Sequence, residues 1–270
     1  MAWRKRTKRL WILAIAIGSI LILLAAAATF PPAWYHEDAA FAPEAADRAE
    51  DKLIVLHNRL ARIPGLESAR LTGHPPASDP FEPVVLEFSA EEFNAILWKW
   101  AEIAGVEWNG VGRPQVAIDG DKILFATHIV GWPIVATVAC RPWVDGEGRL
   151  HLEVAGIRAG HLPIPGFLLG TSRRNLASEM SSRLSQWQPK AEIKPNGRCN
   201  WSAARVASGK ILLDALKDRP GDGCVIVPLD HDMGVAARVK ELRVAAGRVY
   251  ITLVPLNARQ RDELAARLRR

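Results

Sequence analysis

The sequence predicts an α+β fold, in which an N-terminal transmembrane helix precedes a curved antiparallel sheet, a β meander packed by long helices. Three observations support this prediction: an uncharged apolar run near the N-terminus, Gly-containing turns between alternating strands, and helical stripes of apolar residues. Apolar residues make up 49% of the chain and charged residues 24%, so most of it can bury a core.

The apolar run extends from Leu10 to Phe30 and contains no charged residue. As a helix it would be about 31 Å long, which matches the hydrocarbon core of a bilayer. Cations precede the run and acidic residues follow it, so we expect a single-pass protein of the cytoplasmic or inner membrane. Its N-terminus would lie in the cytoplasm and its C-terminal domain outside, in the periplasm or at the cell surface. Residues 26–28 also fit the cleavage site of a signal peptide, and this alternative exports the same domain.

Composition divides the chain into four regions. They are a cytoplasmic basic head and transmembrane anchor at 1–34, a helical stalk and Pro-rich linker at 35–83, an extracytoplasmic α+β domain at 84–258, and a basic C-terminal helix at 259–270. Between residues 43 and 63, apolar residues recur at alternating spacings of three and four, which predicts an amphipathic helix. This apolar seam packs either on its own domain or on a second copy, so residues 43–63 are a candidate homo-oligomer contact.

The stretch VVLEFSAEEFNAILWKWAEIAG predicts a short strand followed by a helix. Ser89 and Glu92 have the spacing of a capping box, which marks the helix start. The apolar stripe of the helix faces the predicted core. It includes Phe93, Leu97 and Trp100. Trp98 falls on the opposite side of the helix, where it either packs under a loop or contacts a partner.

Three hairpins are predicted from turn residues between alternating strands. Their turns lie at Asp119-Gly120, Asp145-Gly146 and Ala246-Gly247. In the first hairpin, Ile123 and Phe125 supply apolar side chains that face the helix stripe.

The stretch GHLPIPGFLLG predicts a stiff corner between a strand and a long helix. Each proline keeps the residue before it extended, which applies to Leu162 and Ile164. Pro165 has the fixed φ that suits a helix start. We expect Leu162 and Ile164 to pack inward, because solvated loops seldom carry such side chains.

The C-terminal part predicts a helix interrupted at Gly209, a strand, and the last hairpin. The chain contains Cys140, Cys199 and Cys224, and the odd number excludes complete pairing. Cys199 and Cys224 lie in the same region of the chain. The sequence is therefore compatible with a disulfide between them and also with three unpaired thiols.

No motif for catalysis is present in the sequence. It contains neither G-x-S-x-G nor H-E-x-x-H, and ASGKILL lacks the first glycine and the hydroxyl residue of a phosphate loop. We therefore predict no enzyme, no cofactor and no metal site. Five cations before residue 10 and a net +3 over the last twelve residues leave −2 for residues 10–258. This body is not basic, so nucleic acid is not an expected partner.

The combination of a basic-flanked anchor, LEFSAEEFNAIL, hairpins with Asp-Gly turns and GIRAGHLPIPGFLL resembles the YpmS-like family of membrane-anchored bacterial proteins of unknown function. It is also similar to extracytoplasmic lipid-binding domains in which long helices pack on a curved antiparallel sheet. The resemblance covers residues 84–187 and implies this fold, but it carries no catalytic residue over to the chain.

Two functions follow from these observations. In the first, the exported domain binds a lipid or another apolar ligand in a groove between sheet and helices. The candidate groove residues are Phe93, Leu97, Trp100, Ile123, Phe125, Leu162 and Ile164. In the second, the chain is a non-enzymatic structural or interaction protein of the cell envelope without a ligand cavity, and Trp98 is a candidate partner contact.

Overall fold

The computed structural model describes residues 26–36, 42–61, 83–103, 112–193, 198–228 and 234–269. Most of the predicted anchor and of the Pro-rich linker lies outside these residues. Of the apolar run, residues 26–30 are described, and residues 26–29 are helical. Within the described ranges, no helix combines the length and the apolar character needed to cross a membrane.

In these ranges the chain alternates between helices and antiparallel strands. The helices are α1 (Pro43–Ala61), α2 (Ala90–Ile103), α3 (Gly166–Trp187), α4 (Trp201–Leu216) and α5 (Ala258–Leu268). The strands are β1 (Val84–Ser89), β2 (Gln115–Asp119), β3 (Lys122–His128), β4 (Val135–Val144), β5 (Leu150–Ala159), β6 (Leu162–Pro163), β7 (Arg198–Cys199), β8 (Cys224–Pro228), β9 (Gly234–Ala245) and β10 (Arg248–Pro255).

The strands form two five-stranded antiparallel sheets. Sheet 1 has the order β1-β10-β9-β7, with β8 also paired to β9, and sheet 2 is the meander β2-β3-β4-β5-β6. The predicted α+β class with a curled antiparallel sheet and several helices is confirmed. The division into two sheets was not expected from the sequence, and it arises because β1 pairs with the distant β10.

Sheet 1 has apolar residues on both faces, because helices cover each of them. Along β9, Val235, Ala237 and Val239 point into a core shared with α1 and α2. Ala236 points to the other face, into a core shared with α4 and α5. This alternation follows from the period of two in a strand.

Helix α1, which the sequence placed in a stalk, packs against the domain. Its seam residues Ala46, Ala49, Leu53 and Leu56 are buried, and Leu56 belongs to the same core as β1 and β9. The described part of the seam therefore packs against the core of its own chain.

The predicted turns and caps are present. Ser89 N donates to Glu92 Oε2 (2.9 Å) and Glu92 N donates to Ser89 Oγ (3.2 Å), so the capping box is confirmed. The corner before α3 is confirmed as well, because Pro165 is extended (φ −60°, ψ 137°) at the N-cap and the helix begins at Gly166.

The predicted interruption at Gly209 is wrong. Helix α4 is continuous from Trp201 to Leu216, and Gly209 is buried inside it. The glycine is explained by packing, because a Cβ at this position would collide with the side chain of Leu184 in α3. Gly209 thus allows the close approach of α3 and α4.

All three cysteines are buried, and no disulfide joins them. Cys199 in β7 and Cys224 in β8 lie on opposite sides of β9, since both strands pair with Val235. Two strand spacings, about 9–10 Å, and a further offset of four residues along β9, about 13 Å, separate them, which is too far for a disulfide. Burial raises the pKa of Cys199 to about 12 and that of Cys140 to about 11.

Candidate functional site

Three of the predicted groove residues lie in a closed core formed by α2, sheet 2 and part of sheet 1. Ile123 is buried beside Val116, and Phe93 and Leu97 pack against the same cluster. The Phe93 ring meets Phe88 edge-on at a centroid distance of 5.4 Å. These side chains fill a core and line no open groove.

Phe125 marks the place where this core opens. It lies two residues beyond Ile123 on the same face of β3, yet 38% of its surface is exposed, whereas Ile123 is 8% exposed. Ile123 shares its buried cluster with Val249 of sheet 1. Helix α2 instead meets β2 at Val116, the strand partner of Phe125, where Asn94 Nδ2 donates to Val116 O (2.9 Å). The same apolar face is thus closed at one end and open to solvent at the other.

An apolar row continues from Phe125 across sheet 2. Phe125 pairs with Val138, Val138 pairs with Ile157, and Ile164 N donates to Ile157 O (2.8 Å). Leu162 extends the row as the partner of Ala159. Apart from the exposed Phe125, the side chains of the row are half-buried. We call Phe125, Val138, Ile157, Leu162 and Ile164 the apolar shelf.

Three of the five shelf residues were predicted from the sequence as groove residues, and two were not. Phe125, Leu162 and Ile164 were predicted, and the structure places them on one face. Val138 and Ile157 were not predicted as site residues. The signal available for them was the alternation in VATVAC and EVAGIRA, but only the strand register aligns them with Phe125.

The two tryptophans of α2 have different positions. The expectation that Trp98 contacts a partner is corrected, because the side chain is 8% exposed and occupied within the domain. Its Nε1 donates to Pro114 O (2.6 Å), and the Arg113 guanidinium lies 4.9 Å from the ring centroid. The side chain of Trp100 lies outside the described residues.

The residues after the apolar run are fixed against the back of sheet 2, opposite the shelf. His128 N donates to the Tyr35 hydroxyl (3.0 Å), and His36 N donates to Gln115 Oε1 (3.0 Å). Tyr35 is buried with Ala126 and Val135. We call the end of sheet 2 at these contacts, with the turns at 129–134 and 160–161, the upper end.

A second depression, the charged cleft, lies between α4, α5 and the turn before β8. It has a volume of about 710 Å³, and Arg149 and Arg238 form part of its wall. Ionisable groups on its floor come from three separate segments. They are Lys210, Asp214, Asp222, Cys224 and Arg267.

Only some of the charged side chains in the cleft form hydrogen bonds or ion pairs with one another. Lys210 Nζ donates to Arg267 O, and Arg267 forms an ion pair with Asp222. The Asp214 carboxylate makes no hydrogen bond or ion pair with any residue that the structure describes. Burial, with the nearby charge of Asp222, raises the pKa of Asp214, and burial lowers the pKa of Lys210. Such perturbed groups in a cleft are typical of functional sites.

This cleft was not expected from the sequence. Lys210 was considered only as part of ASGKILL, an incomplete phosphate loop. The spacing of Lys210 and Asp214 places both on one side of α4, but the contact with α5 depends on tertiary packing. Across the described ranges, no group of three His, Cys, Asp or Glu residues is arranged to hold a metal ion.

Comparison with known proteins gives no relative for this chain. No family model matches it, and neither a curated protein nor a solved structure does. The resemblance to the YpmS-like family therefore stays a prediction.

Proposed function

We propose that this chain is a membrane-anchored extracytoplasmic protein that holds the acyl chain of a lipid, or a similar apolar ligand, on the apolar shelf. The run Leu10–Phe30 is the anchor, with the N-terminus in the cytoplasm and the folded domain outside. No catalytic step is part of this proposal.

One observation carries the proposal: a row of apolar side chains crosses sheet 2 while Phe125, at its β3 end, remains open to solvent. Burying each CH₂ group of an acyl chain there contributes about 0.8 kcal/mol. A row across four strands spaced about 4.8 Å apart is about 14 Å long. This length suits a substantial part of an acyl chain.

The position of the shelf favours a lipid over a water-soluble ligand. Leu162 directly follows the turn at 160–161, and His161 N donates to Ala27 O (3.0 Å). The shelf therefore reaches the same end of the sheet as the last residues of the apolar run. A lipid from the bilayer that holds the run would travel a short distance to reach Phe125.

Native mass spectrometry of the full chain, released from detergent, tests this proposal. We expect the wild-type protein to retain one lipid and the Phe125→Ser variant to lose it. Val85→Ser is the matched control, because Val85 is also an exposed apolar strand residue but lies in sheet 1. A wild-type chain that remains ligand-free from a lipid-rich preparation, or equal retention by all three proteins, would contradict the proposal.

A second function, an envelope protein that acts through contacts with other copies or partners, is favoured by a different observation. Ile54 and Val55 on α1 are 48% and 49% exposed, on the side opposite the buried seam. A homo-oligomer through 43–63 would use this pair. An Ile54→Cys variant that crosslinks into a dimer, with the dimer abolished by Val55→Asp, would support this function. A purely monomeric chain would exclude it.

A further inference from the structure

The turn between β3 and β4 presents two large apolar side chains at the upper end of sheet 2. Val130 is 57% exposed and Trp132 is 62% exposed. The turn is internally bonded, since Ile129 N donates to Ile134 O (3.0 Å) and Trp132 N donates to Ile129 O (3.0 Å). Gly131 has a φ of 84°, which a side chain would disfavour. The two apolar side chains are therefore held outward by a defined turn.

The chain that follows the apolar run arrives at the same end. Gly160, in the turn between β5 and β6, has a φ of 55°, and a Cβ there would collide with the carbonyl oxygens of Ala28 and Phe30. Gly160 N also donates to Val135 O (2.8 Å), directly beside the turn at 129–134. Phe30 itself is 62% exposed. Three exposed apolar side chains thus lie at one end of the domain.

The chemistry of this end fits a bilayer surface. Tryptophan side chains concentrate at membrane interfaces, where the ring is partly apolar and its N–H remains near water. Arg113 and Arg158 are exposed at the same end, and Gly112 N donates to His128 O (2.6 Å), which places Arg113 there. Cations near a bilayer are attracted to anionic headgroups.

We infer that the turn at 129–134 inserts Val130 and Trp132 into the interface of the bilayer that holds Leu10–Phe30. The inference rests on the proposed anchor and adds a second membrane contact to it. With two contacts, the domain has a fixed orientation in which the upper end, and with it the open end of the apolar shelf, faces the lipid.

A fluorescent label tests the inference in the full chain. The variant Val130→Cys, labelled with nitrobenzoxadiazole, is reconstituted into vesicles of phosphatidylcholine and phosphatidylglycerol in equal amounts, and Trp132→Cys provides a second site. The three native cysteines are buried, so labelling is directed to the new thiol. We expect blue-shifted emission, several-fold brighter than in detergent-free buffer, and quenching by lipids spin-labelled near the headgroup.

Glu147→Cys is the matched control, because Glu147 is exposed in the turn at the opposite end of β4. We expect the label at position 147 to keep the emission wavelength of a label exposed to water and not to be quenched by the spin-labelled lipids. Flotation of the same vesicles measures separately whether the chain is bound to the membrane through its anchor. A chain that floats while the labels at 130 and 132 remain as aqueous as the one at 147 overturns the inference and leaves the anchor intact. This outcome would assign the turn to a protein contact. A chain that does not float overturns the anchor and the inference together.

Discussion

Lys52 of α1 donates to both carboxylate oxygens of Glu92 at the start of α2, at 2.7 and 2.8 Å. Glu92 is 4% exposed and also accepts a hydrogen bond from Ser89 N. One carboxylate thus caps α2 and fastens α1 to it. This pair, together with the buried seam, explains why the helix predicted as a stalk belongs to the domain.

Replacing Glu92 by Gln should lower the free energy of unfolding by about 2 kcal/mol, because a charge-assisted, largely buried hydrogen bond is lost. Glu91→Gln is the control, since Glu91 meets Arg48 in an exposed ion pair that contributes about 0.5 kcal/mol. Urea unfolding followed by tryptophan fluorescence measures both. Equal effects of the two substitutions would contradict the assigned role of Glu92.

The contribution of Glu92 should depend on pH. Burial raises its pKa, but the Lys52 hydrogen bond, the Ser89 N–H and the charges of Lys52 and Arg48 outweigh burial and lower it. Folding therefore favours the charged form, so the stabilisation is present above the ordinary pKa of 4.5 and is lost as the pH falls through the lowered value. The stability difference between wild type and Glu92→Gln should shrink from pH 7 to pH 3.

Gly209→Ala should destabilise the protein although alanine is the better helix former by about 1 kcal/mol. Leu184, which is 4% exposed, has little space to move away from the new methyl group. We expect a loss of about 1–3 kcal/mol in the wild-type background. In a Leu184→Ala background the same substitution should be neutral or stabilising. A stabilising effect in the wild-type background would refute the packing explanation of Gly209.

The closed and open ends of the apolar face should respond differently to truncation. Ile123→Ala removes a buried side chain and should cost about 2–4 kcal/mol. Phe125→Ala should cost about 1 kcal/mol or less in the ligand-free protein, because its side chain is partly solvated. Thermal unfolding of both variants gives the comparison, and a larger loss for Phe125 would mean that the shelf is part of the core.

Asp214→Asn should raise the melting temperature at pH 7. The raised pKa of Asp214 means that burial disfavours its charged form, so the folded protein is most stable when this group is protonated. The carboxylate is therefore unfavourable above its raised pKa and harmless below the ordinary value of 3.8. The advantage of Asn should shrink as the pH is lowered from 7 toward 4. A variant less stable than wild type at pH 7 would show that Asp214 has a stabilising partner.

The three thiols should be unreactive in the folded protein. Cys140, Cys199 and Cys224 are buried, and burial raises the pKa of each, so little thiolate is present at pH 8. Ellman's reagent should detect three thiols in guanidinium chloride without reductant and react slowly in buffer. Detection of one thiol after unfolding would instead indicate a disulfide.

Local features of this fold were predictable from the sequence, whereas long-range pairing was not. The capping box at Ser89 and Glu92, the Asp-Gly turns and the proline corner before α3 are each specified within a few neighbouring residues. The pairing of β1 with β10 was missed, because alternation identifies a strand and not its partner. Gly209 was misjudged for the same reason, since the neighbour that requires a glycine, Leu184, lies in another helix.

The candidate site shows the same limit. Ile123 and Phe125 have the same strand parity, so a sequence pattern cannot distinguish the buried residue from the open one. Ile123 is buried in a cluster that includes residues of sheet 1, and this contact depends on long-range packing. The charged cleft is still less visible, because Lys210, Asp222 and Arg267 are far apart along the chain and meet only when α5 packs on α4.

The pairing of β1 with β10 has a consequence for how this protein folds. Glu87 in β1 contacts Arg248 in β10 across a separation of 161 residues, so sheet 1 remains incomplete until nearly the whole chain is available. Closing such a large loop lowers the chain entropy before any long-range contact stabilises the fold, and topologies of this kind fold slowly. We therefore expect the meander of sheet 2, whose strands are neighbours in the chain, to form before sheet 1 is complete.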